Sequence, residues 1–405
     1  MNKDLQRPER WSVADGDTIR STNTSVVFDH IYSNRRTDRA SIARDTGLSP
    51  TTVSAITGNL LEAGVIRESG SGASRGGRRP IVLEIVPGAR LSIGVEVGAS
   101  HITVIVLDLF GTVISRSSQP ILTANAGVES VEMIKSMLEG ILAELPTASR
   151  VAGIGVGIQS RVARPGWKGI DLDAELRDSF GIPLWIDNDA NLGALAEAWW
   201  GQGQDVADFT YVKLGGGVGS GHIIAGDIHR GHSGAAGEIG HTPSEPGGRL
   251  CQCGRRGCLE AYISSRTLVE FYLDECDDCE STGTHTTDRR LLIEAANRGE
   301  EPARRIVSDA GKRLGAALST VIGILAPAMI VLSGPITAAS DFMEAVKTQI
   351  EELAFEQSAE VCKLVISELD QDAGAVGAAT LVISEVFRHG VTESDATSQT
   401  IKVSG

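Results

Sequence analysis

The apolar positions near the start of the chain are spaced for short helices. Val27, Phe28 and Ile31 share one face of a segment from about Thr18 to Asn34. Ile42 and Ala43 mark a second segment, with Thr37 placed to cap it and Gly47 to end it. Val53, Ile56, Leu60 and Leu61 then repeat at i, i+3, i+7 and i+8, the period of an amphipathic helix. Ser49 precedes this helix as an N-cap, Pro50 suits its first position, and Gly64 follows as the C′ residue. Two short helices joined by a turn with a glycine predict a helix-turn-helix. Val65-Ile66-Arg67 and the run Ile81 to Ile85 predict two strands. Between them lies a Gly/Ser-rich loop with Arg75, Arg78 and Arg79, which predicts a basic wing. A winged helix-turn-helix is therefore expected over residues 18–88, after a polar, disordered tail at 1–17.

From Arg90 the pattern changes to Gly-rich strands and turns. Leu91 to His101, followed by Ile102 to Asp108, predicts strand, tight turn, strand, and a third strand follows the turn at 109–112. A helix is expected from Val128 to Leu145. The apolar run Val151 to Ile158 reads as a buried strand. The short strand Ile182 to Ile186 ends in Asp187-Asn188-Asp189-Ala190-Asn191, just before a helix through Trp199. Open α/β sheets place their ligands at such strand ends. The second half repeats the plan, with a strand from Phe209 to Leu214, the turn Gly215 to Gly221 and a returning strand from His222. Helices are expected between Ser264 and Leu325, a strand from Ala328 to Leu332, and a last helix from Gly374 to Val386. This duplication predicts a two-lobe α/β domain over residues 89–389, with lobes at about 89–200 and 201–389, a cleft between them, and a disordered tail at 390–405.

Charge sharpens the picture. The chain is strongly acidic, at −15, yet residues 1–90 hold 13 basic against 10 acidic side chains, leaving 24 against 42 in the rest. A basic end on an acidic body is expected when only that end meets nucleic acid. The outward residues of the third helix, Thr51, Thr52, Ser54 and Thr57, are short hydroxyl or polar groups suited to base edges or phosphates. Arg75, Arg78 and Arg79 suit phosphates or a narrow minor groove. No apolar run approaches a membrane span, and the charged N-terminus lacks a secretory core, so a cytoplasmic protein without membrane contact is expected.

Four soft ligands crowd into one stretch: His241, Cys251, Cys253 and Cys258. Three thiolates and an imidazole suit a closed tetrahedral zinc site, so a structural Zn2+ is expected. Gly254 and Gly257 let so short a loop fold back on one ion. Four protein ligands leave no open position for a zinc-bound water, which argues against a zinc hydrolase, the third reading. Glu238 and Glu260 bracket the cluster. A second pair, Cys276 and Cys279, lies among acidic residues that raise thiol pKa values, and reads as inert.

The run Asp187-Asn188-Asp189-Ala190-Asn191, the segment Gly231 to His241 ending Gly-Glu-Ile-Gly-His, and Cys-Gln-Cys-Gly-Arg-Arg-Gly-Cys-Leu-Glu at 251–260 together resemble the ROK family of repressors, open reading frames and sugar kinases. The resemblance runs from about Gly16 to Ala379 and is to the subgroup with an N-terminal winged helix. It implies a two-lobe actin-like (ribonuclease-H-like) ATPase/sugar-kinase fold. It also implies zinc on His241, Cys251, Cys253 and Cys258. A sugar would lie in the cleft against Asn188, Asp189, Glu238, His241 and Glu260. In the family's kinases the residue at Asp189 is the general base, a catalytic role it would keep here only if kinase activity exists.

The nucleotide side departs from the kinase pattern. Glu96-Val97-Gly98-Ala99-Ser100-His101 stands where the kinases have Asp-x-Gly-Gly-Thr-Lys. Gly216 replaces a threonine in the second turn, and Pro335 follows Ser333-Gly334 in the third. Phosphoryl transfer rests on positioning and neutralising phosphates, so ATP and Mg2+ are not expected as cofactors. The expectation is a sugar-responsive repressor, a homodimer or homotetramer on palindromic operator DNA, with a monosaccharide or sugar derivative as effector. An active sugar kinase fused to a DNA-binding domain is the alternative.

Overall fold

The computed structural model describes residues 16–71, 79–121, 127–145, 151–159, 170–276 and 285–389. Two compact units emerge, one built on the chain up to Arg90 together with the segment from Ile383, the other on Leu91–Val382. The tails at 1–15 and 390–405 and the wing residues 72–78, with Arg75 and Arg78, lie outside the described residues.

The first unit contains α1 (Gly16–Asn34), α2 (Arg39–Thr46), α3 (Pro50–Glu62), β1 (Ile66–Ser71) and β2 (Ile81–Ile85). Its core joins Val27, Phe28 and Ile31 to Ile42, Val53, Ile56, Leu60, Leu83 and Ile85, all buried. Ser49 caps α3 by accepting from the Thr52 amide at 3.1 Å, with Pro50 at the first turn. Thr37 does not cap α2. Asp38 does, its Oδ1 accepting from the amides of Ala40 and Ser41 at 2.9 and 3.0 Å. A carboxylate at that position satisfies two orphan amides at once. Thr37 instead exchanges backbone hydrogen bonds with Leu83 and so extends the small β1–β2 sheet. A partner from far along the sequence completes the unit: the Phe387 ring meets Phe28 and Tyr32 edge-on, with centroids 4.4 and 5.1 Å apart.

The second unit has two lobes of one plan. Lobe one runs β3 (Leu91–Val97), β4 (His101–Leu107), β5 (Val113–Pro120), α4 (Gly127–Glu144), β6 (Val151–Ile158), α5 (Leu172–Phe180), β7 (Leu184–Asn188) and α6 (Asp189–Trp200). Its sheet order is β5-β4-β3-β6-β7. Lobe two starts with β8 (Phe209–Leu214), β9 (Val218–Ile224) and β10 (Asp227–Ile228). Helices α7 (Glu260–Ile263), α8 (Ser265–Glu275), α9 (His285–Asn297) and α10 (Ala303–Leu325) follow. It ends with β11 (Met329–Ser333), α11 (Ser340–Leu353), α12 (Glu356–Ala359), β12 (Lys363–Ile366) and α13 (Ala373–His389). The sheet order is β10-β9-β8-β11-β12. In each sheet three antiparallel strands are followed by two parallel ones. The sequence pattern did not announce α5, α11 or β12; β12 is four half-exposed residues at a sheet edge, too short for a periodic signal.

Two helices lie between the lobes, and small residues let them. On α6, Ala190 and Ala194 face Gly219 and Gly221 of β9. On α13, Ala375, Ala378 and Ala379 face Gly94 of β3 and Gly155 of β6. The helices themselves meet at Gly377, where an added Cβ would lie 1.8 Å from the Leu192 carbonyl oxygen. Among the described residues no helix is long and apolar enough to cross a membrane. Replacing Gly377 with alanine is expected to cost roughly 2–4 kcal/mol in urea unfolding, because rigid backbone must move. Gly323→Ala, in a helix with nothing within 4 Å of the new methyl, should instead stabilise by up to about 1 kcal/mol. Equal effects at the two sites would refute the crossing as a constraint.

Candidate functional site

The recognition-type helix α3 presents an exposed face that includes Thr51 and Ser54. Thr52 is half-buried and tied to the cap, its hydroxyl 2.8 Å from Ser49 Oγ. Thr57 does not belong to this face. It is fully buried; its hydroxyl donates to the Val53 carbonyl at 2.8 Å and accepts from Arg39 Nε at 2.9 Å. With both roles used inside the fold, its hydroxyl is not offered to DNA. Helical phase explains the miss, since position 57 falls beside Val53 and Ile56 on the buried stripe. Asn59 lies exposed on the outer face and escaped the sequence reading, which followed hydroxyls only. Arg79 is exposed at the edge of β2.

The metal loop fits its expected geometry. The ligand atoms of His241, Cys251, Cys253 and Cys258 all lie within 4.8 Å of one another. Cys253 Sγ and Cys258 Sγ are 3.7 Å apart, and so are Cys251 Sγ and His241 Nδ1. Tetrahedral metal–sulfur bonds of about 2.3 Å put sulfurs roughly 3.8 Å apart, so the four atoms have the spacing of a ligand cage and can hold a metal ion. Burial pushes the Cys251 thiol up to about 12, with the neighbouring cysteines and Glu260 contributing. A divalent cation offsets the charge that keeps such thiols protonated. Glycine is required at Gly257, with φ +82° and an added Cβ 1.9 Å from the Glu245 carbonyl. Outside this cluster, Cys276 is disulfide-bonded, and Cys279 lies outside the described residues.

Of the remaining candidates, Asn188 and Asp189 sit at the end of β7, while Glu238 and Glu260 flank the metal loop in the sequence. His241 points both ways: Nδ1 faces the cysteines and Nε2 stands 3.7 Å from Glu238 Oε2, too far for a direct hydrogen bond. Glu260 Oε2 accepts from the Val218 amide at 2.9 Å and so ties the metal loop to the second Gly-rich turn. Asn188 caps α6, its Oδ1 accepting from the amides of Ala190 and Asn191. Asp187 is buried and structural; its Oδ2 takes both Nε and Nη2 of Arg230, at 2.9 and 2.7 Å. Asp189 Oδ2 accepts from Lys213 Nζ at 2.7 Å, and Lys213 also donates to Glu96. Neither Lys213 nor Arg230 was among the sequence candidates. The signal was there for one of them, since Lys213 is the only charge in the strand Phe209–Leu214.

The two Gly-rich turns touch. An added Cβ on Gly216 would lie 2.5 Å from the Ala99 Cβ. With a methyl at 99, no side chain fits at 216. Behind the second turn a buried chain fixes the metal loop. Thr210 Oγ1 lies 3.0 Å from His222 Nδ1, His222 Nε2 lies 3.2 Å from Ser220 Oγ, and Ser220 Oγ donates to the Gly237 carbonyl at 3.0 Å. Since that hydroxyl donates to Gly237, it accepts from His222 Nε2–H, and the Thr210 hydroxyl donates to Nδ1.

A fold of this kind, two duplicated lobes with a helical crossing and a winged helix ahead of them, defines a DNA-binding regulator built on a sugar-kinase-like body. The family model of the ROK family matches residues 92–385, and a winged helix-turn-helix DNA-binding model matches 27–67. The chain belongs to the ROK family. It is similar to the xylose repressor of Bacillus subtilis (strain 168), at 28% identity over 387 residues, covering 92% of this chain and 97% of that one. It is also 28% identical over 390 residues to the transcriptional dual regulator NagC of Escherichia coli (strain K12), covering 90% and 93%. A solved ROK family transcriptional regulator, a homologue of the E. coli MLC protein, shares the fold with a TM-score of 0.77 at 24% identity, over 92% of this chain and 98% of that one.

His222 gives this site a pH signature. Burial, aided by the nearby His229, lowers its pKa to about 4 from an ordinary 6.5. The fold therefore holds the neutral ring. Its contribution is complete above about pH 6.5 and is lost as pH falls towards 4, where the unfolded chain binds a proton that the folded one refuses. A loss of about 3 kcal/mol over that window is expected from urea unfolding at stepped pH. In His222→Gln the slope should flatten over the same window; an unchanged slope would sink the assignment.

Proposed function

We propose that the protein is a sugar-responsive transcriptional repressor whose effector, a monosaccharide or sugar derivative, binds in the interlobe cleft beside a structural zinc. The observation that carries this reading is the two-sided placement of His241, with one ring nitrogen on the cysteine cluster and the other towards Glu238. A metal on Nδ1 fixes the tautomer and leaves Nε2–H as a donor. The 3.7 Å gap to Glu238 suits a sugar hydroxyl that accepts from Nε2 and donates to the carboxylate. Asn188 retains its amide donors for a second hydroxyl, and Asp189 and Glu260 supply acceptors. Such a site rejects a ligand that lacks a hydroxyl, because its own buried groups would be left unpaired. The zinc holds the loop and performs no chemistry.

The nucleotide side supports a sensor rather than a kinase. Ala99 closes on Gly216, and Lys213 engages the carboxylate that would act as base. On this reading ATP and Mg2+ are not cofactors of the protein. Relatives of this similarity carry the names xylose repressor, N-acetylglucosamine repressor and DNA-binding transcriptional dual regulator. In the first unit, Thr51 and Ser54 of α3 and Arg79 of the wing are the DNA contacts, with Arg75 and Arg78 following from the sequence alone. A homodimer would place two such helices on a palindromic operator. Sugar then favours one lobe arrangement and lowers operator affinity through that preference.

The test uses the full chain and DNA selected by it from a random pool. Calorimetry with glucose, xylose, N-acetylglucosamine and their 6-phosphates should find a ligand, and that ligand should weaken DNA binding by roughly tenfold or more in fluorescence anisotropy. Metal analysis should give one zinc per chain. Cys253→Ser should lose zinc and sugar response together while still binding the selected DNA. No ligand in the panel, with DNA affinity unchanged, refutes the reading; turnover of ATP with the bound sugar would make the protein a kinase.

A further inference from the structure

Lys213 lies near the end of β8 in lobe two, yet both its partners belong to lobe one. Its ammonium donates to Glu96 on β3 and, at 2.7 Å, to Asp189, the first residue of α6 after β7. The two carboxylates are 9% and 5% exposed and the lysine side chain 23%. Burial works against the ammonium, but Asp189 and Glu96 outweigh it and raise its pKa above the ordinary lysine value. Three ionised groups this sheltered persist only when they are paired. Glu96 is enclosed from a further side as well, since an added Cβ on Gly374 of α13 would lie 2.5 Å from its carboxyl carbon.

The arrangement answers a problem that any closed cleft of this plan faces. Two carboxylates within reach of one nitrogen repel each other unless a cation sits between them. In phosphoryl-transfer enzymes that cation is a metal ion carried in with the nucleotide. Here the cation is covalently part of the opposite lobe, and the neighbouring turns close on each other through Ala99 and Gly216.

We propose that Lys213 is an interlobe clasp standing in for a nucleotide-borne metal ion, so that the cleft closes on its ligand with no nucleotide present. This rests on the reading of the cleft as a sugar site, and the two fail differently. The clasp holds Asp189 Oδ2, and the ionised carboxylate meets a ligand hydroxyl as an acceptor.

The experiment compares the full chain with Lys213→Met, Glu96→Gln and the double variant Lys213→Met/Glu96→Gln. The bare methionine chain keeps the stem and removes the charge. Thermal unfolding should show Lys213→Met melting roughly 5 °C or more below the parent, and the double variant recovering part of that loss, since Glu96 no longer carries a charge while Asp189 still does. Calorimetry with the sugar panel should give the parent the same affinity with and without Mg2+ and a non-hydrolysable ATP analogue. Lys213→Met should bind sugar at least tenfold more weakly and regain affinity when millimolar Mg2+ is added. A Lys213→Met protein that melts and binds like the parent overturns the clasp. A parent whose sugar affinity rises severalfold with Mg2+ and nucleotide overturns it too. If the parent binds no sugar, the sugar reading falls, and melting of the variants alone decides the clasp.

Discussion

Helices α6 and α13 cross with backbone against backbone, and the two-lobe body depends on that contact. A glycine at 377 brings one helix to within a methyl's width of the Leu192 carbonyl of the other. Each helix then reaches across to a sheet through alanines that meet glycines on β9, β3 and β6. Close packing of this kind has few intermediate positions, because rigid backbone cannot deform by fractions of an ångström. It therefore favours discrete lobe arrangements over continuous flexing.

The crossing also delivers the polar groups. Helix α6 begins at Asp189, directly after β7, so its N-terminus and the cap Asn188 sit at the strand ends of lobe one. Lobe two answers with Lys213, Arg230 and the metal loop. Both of those cations are already spent on carboxylates of lobe one, Glu96, Asp189 and Asp187. Among the described residues, the Asn188 amide, the Glu238 and Glu260 carboxylates and the His241 imidazole are the other polar candidates. The metal loop is held in turn by Glu260 on the Val218 amide and by the Thr210–His222–Ser220 chain on Gly237. The His/Cys cluster, the loop position and the second Gly-rich turn are thus mechanically linked.

Much of this was legible in the residues. Ser49-Pro50 marked the start of α3 because capping is local chemistry, and the Cys-x-Cys-x4-Cys spacing with His241 marked the metal cluster because ligand loops are short. The strand–turn–strand repeats at Leu91 and Phe209 announced two lobes of one plan. Errors came where a local rule met a nonlocal partner. Thr37 is a good cap in isolation, but pairing with Leu83 draws it into a sheet and leaves Asp38 to cap α2. Thr57 is polar, yet helical phase buries it and Arg39 occupies its hydroxyl.

The sequence by itself determined most of the order of elements, the His/Cys cluster and the family, since each depends on spacing within a few residues or on matched motifs. Only the tertiary structure decided which charges meet. Nothing in the strand Phe209–Leu214 tells which carboxylates Lys213 will find, because Glu96 lies 117 residues away and on another sheet. Nothing near Ala99 tells that its methyl will fill the space beside Gly216. Those meetings follow from how two sheets are brought together across α6 and α13, and they decide what the cleft can hold.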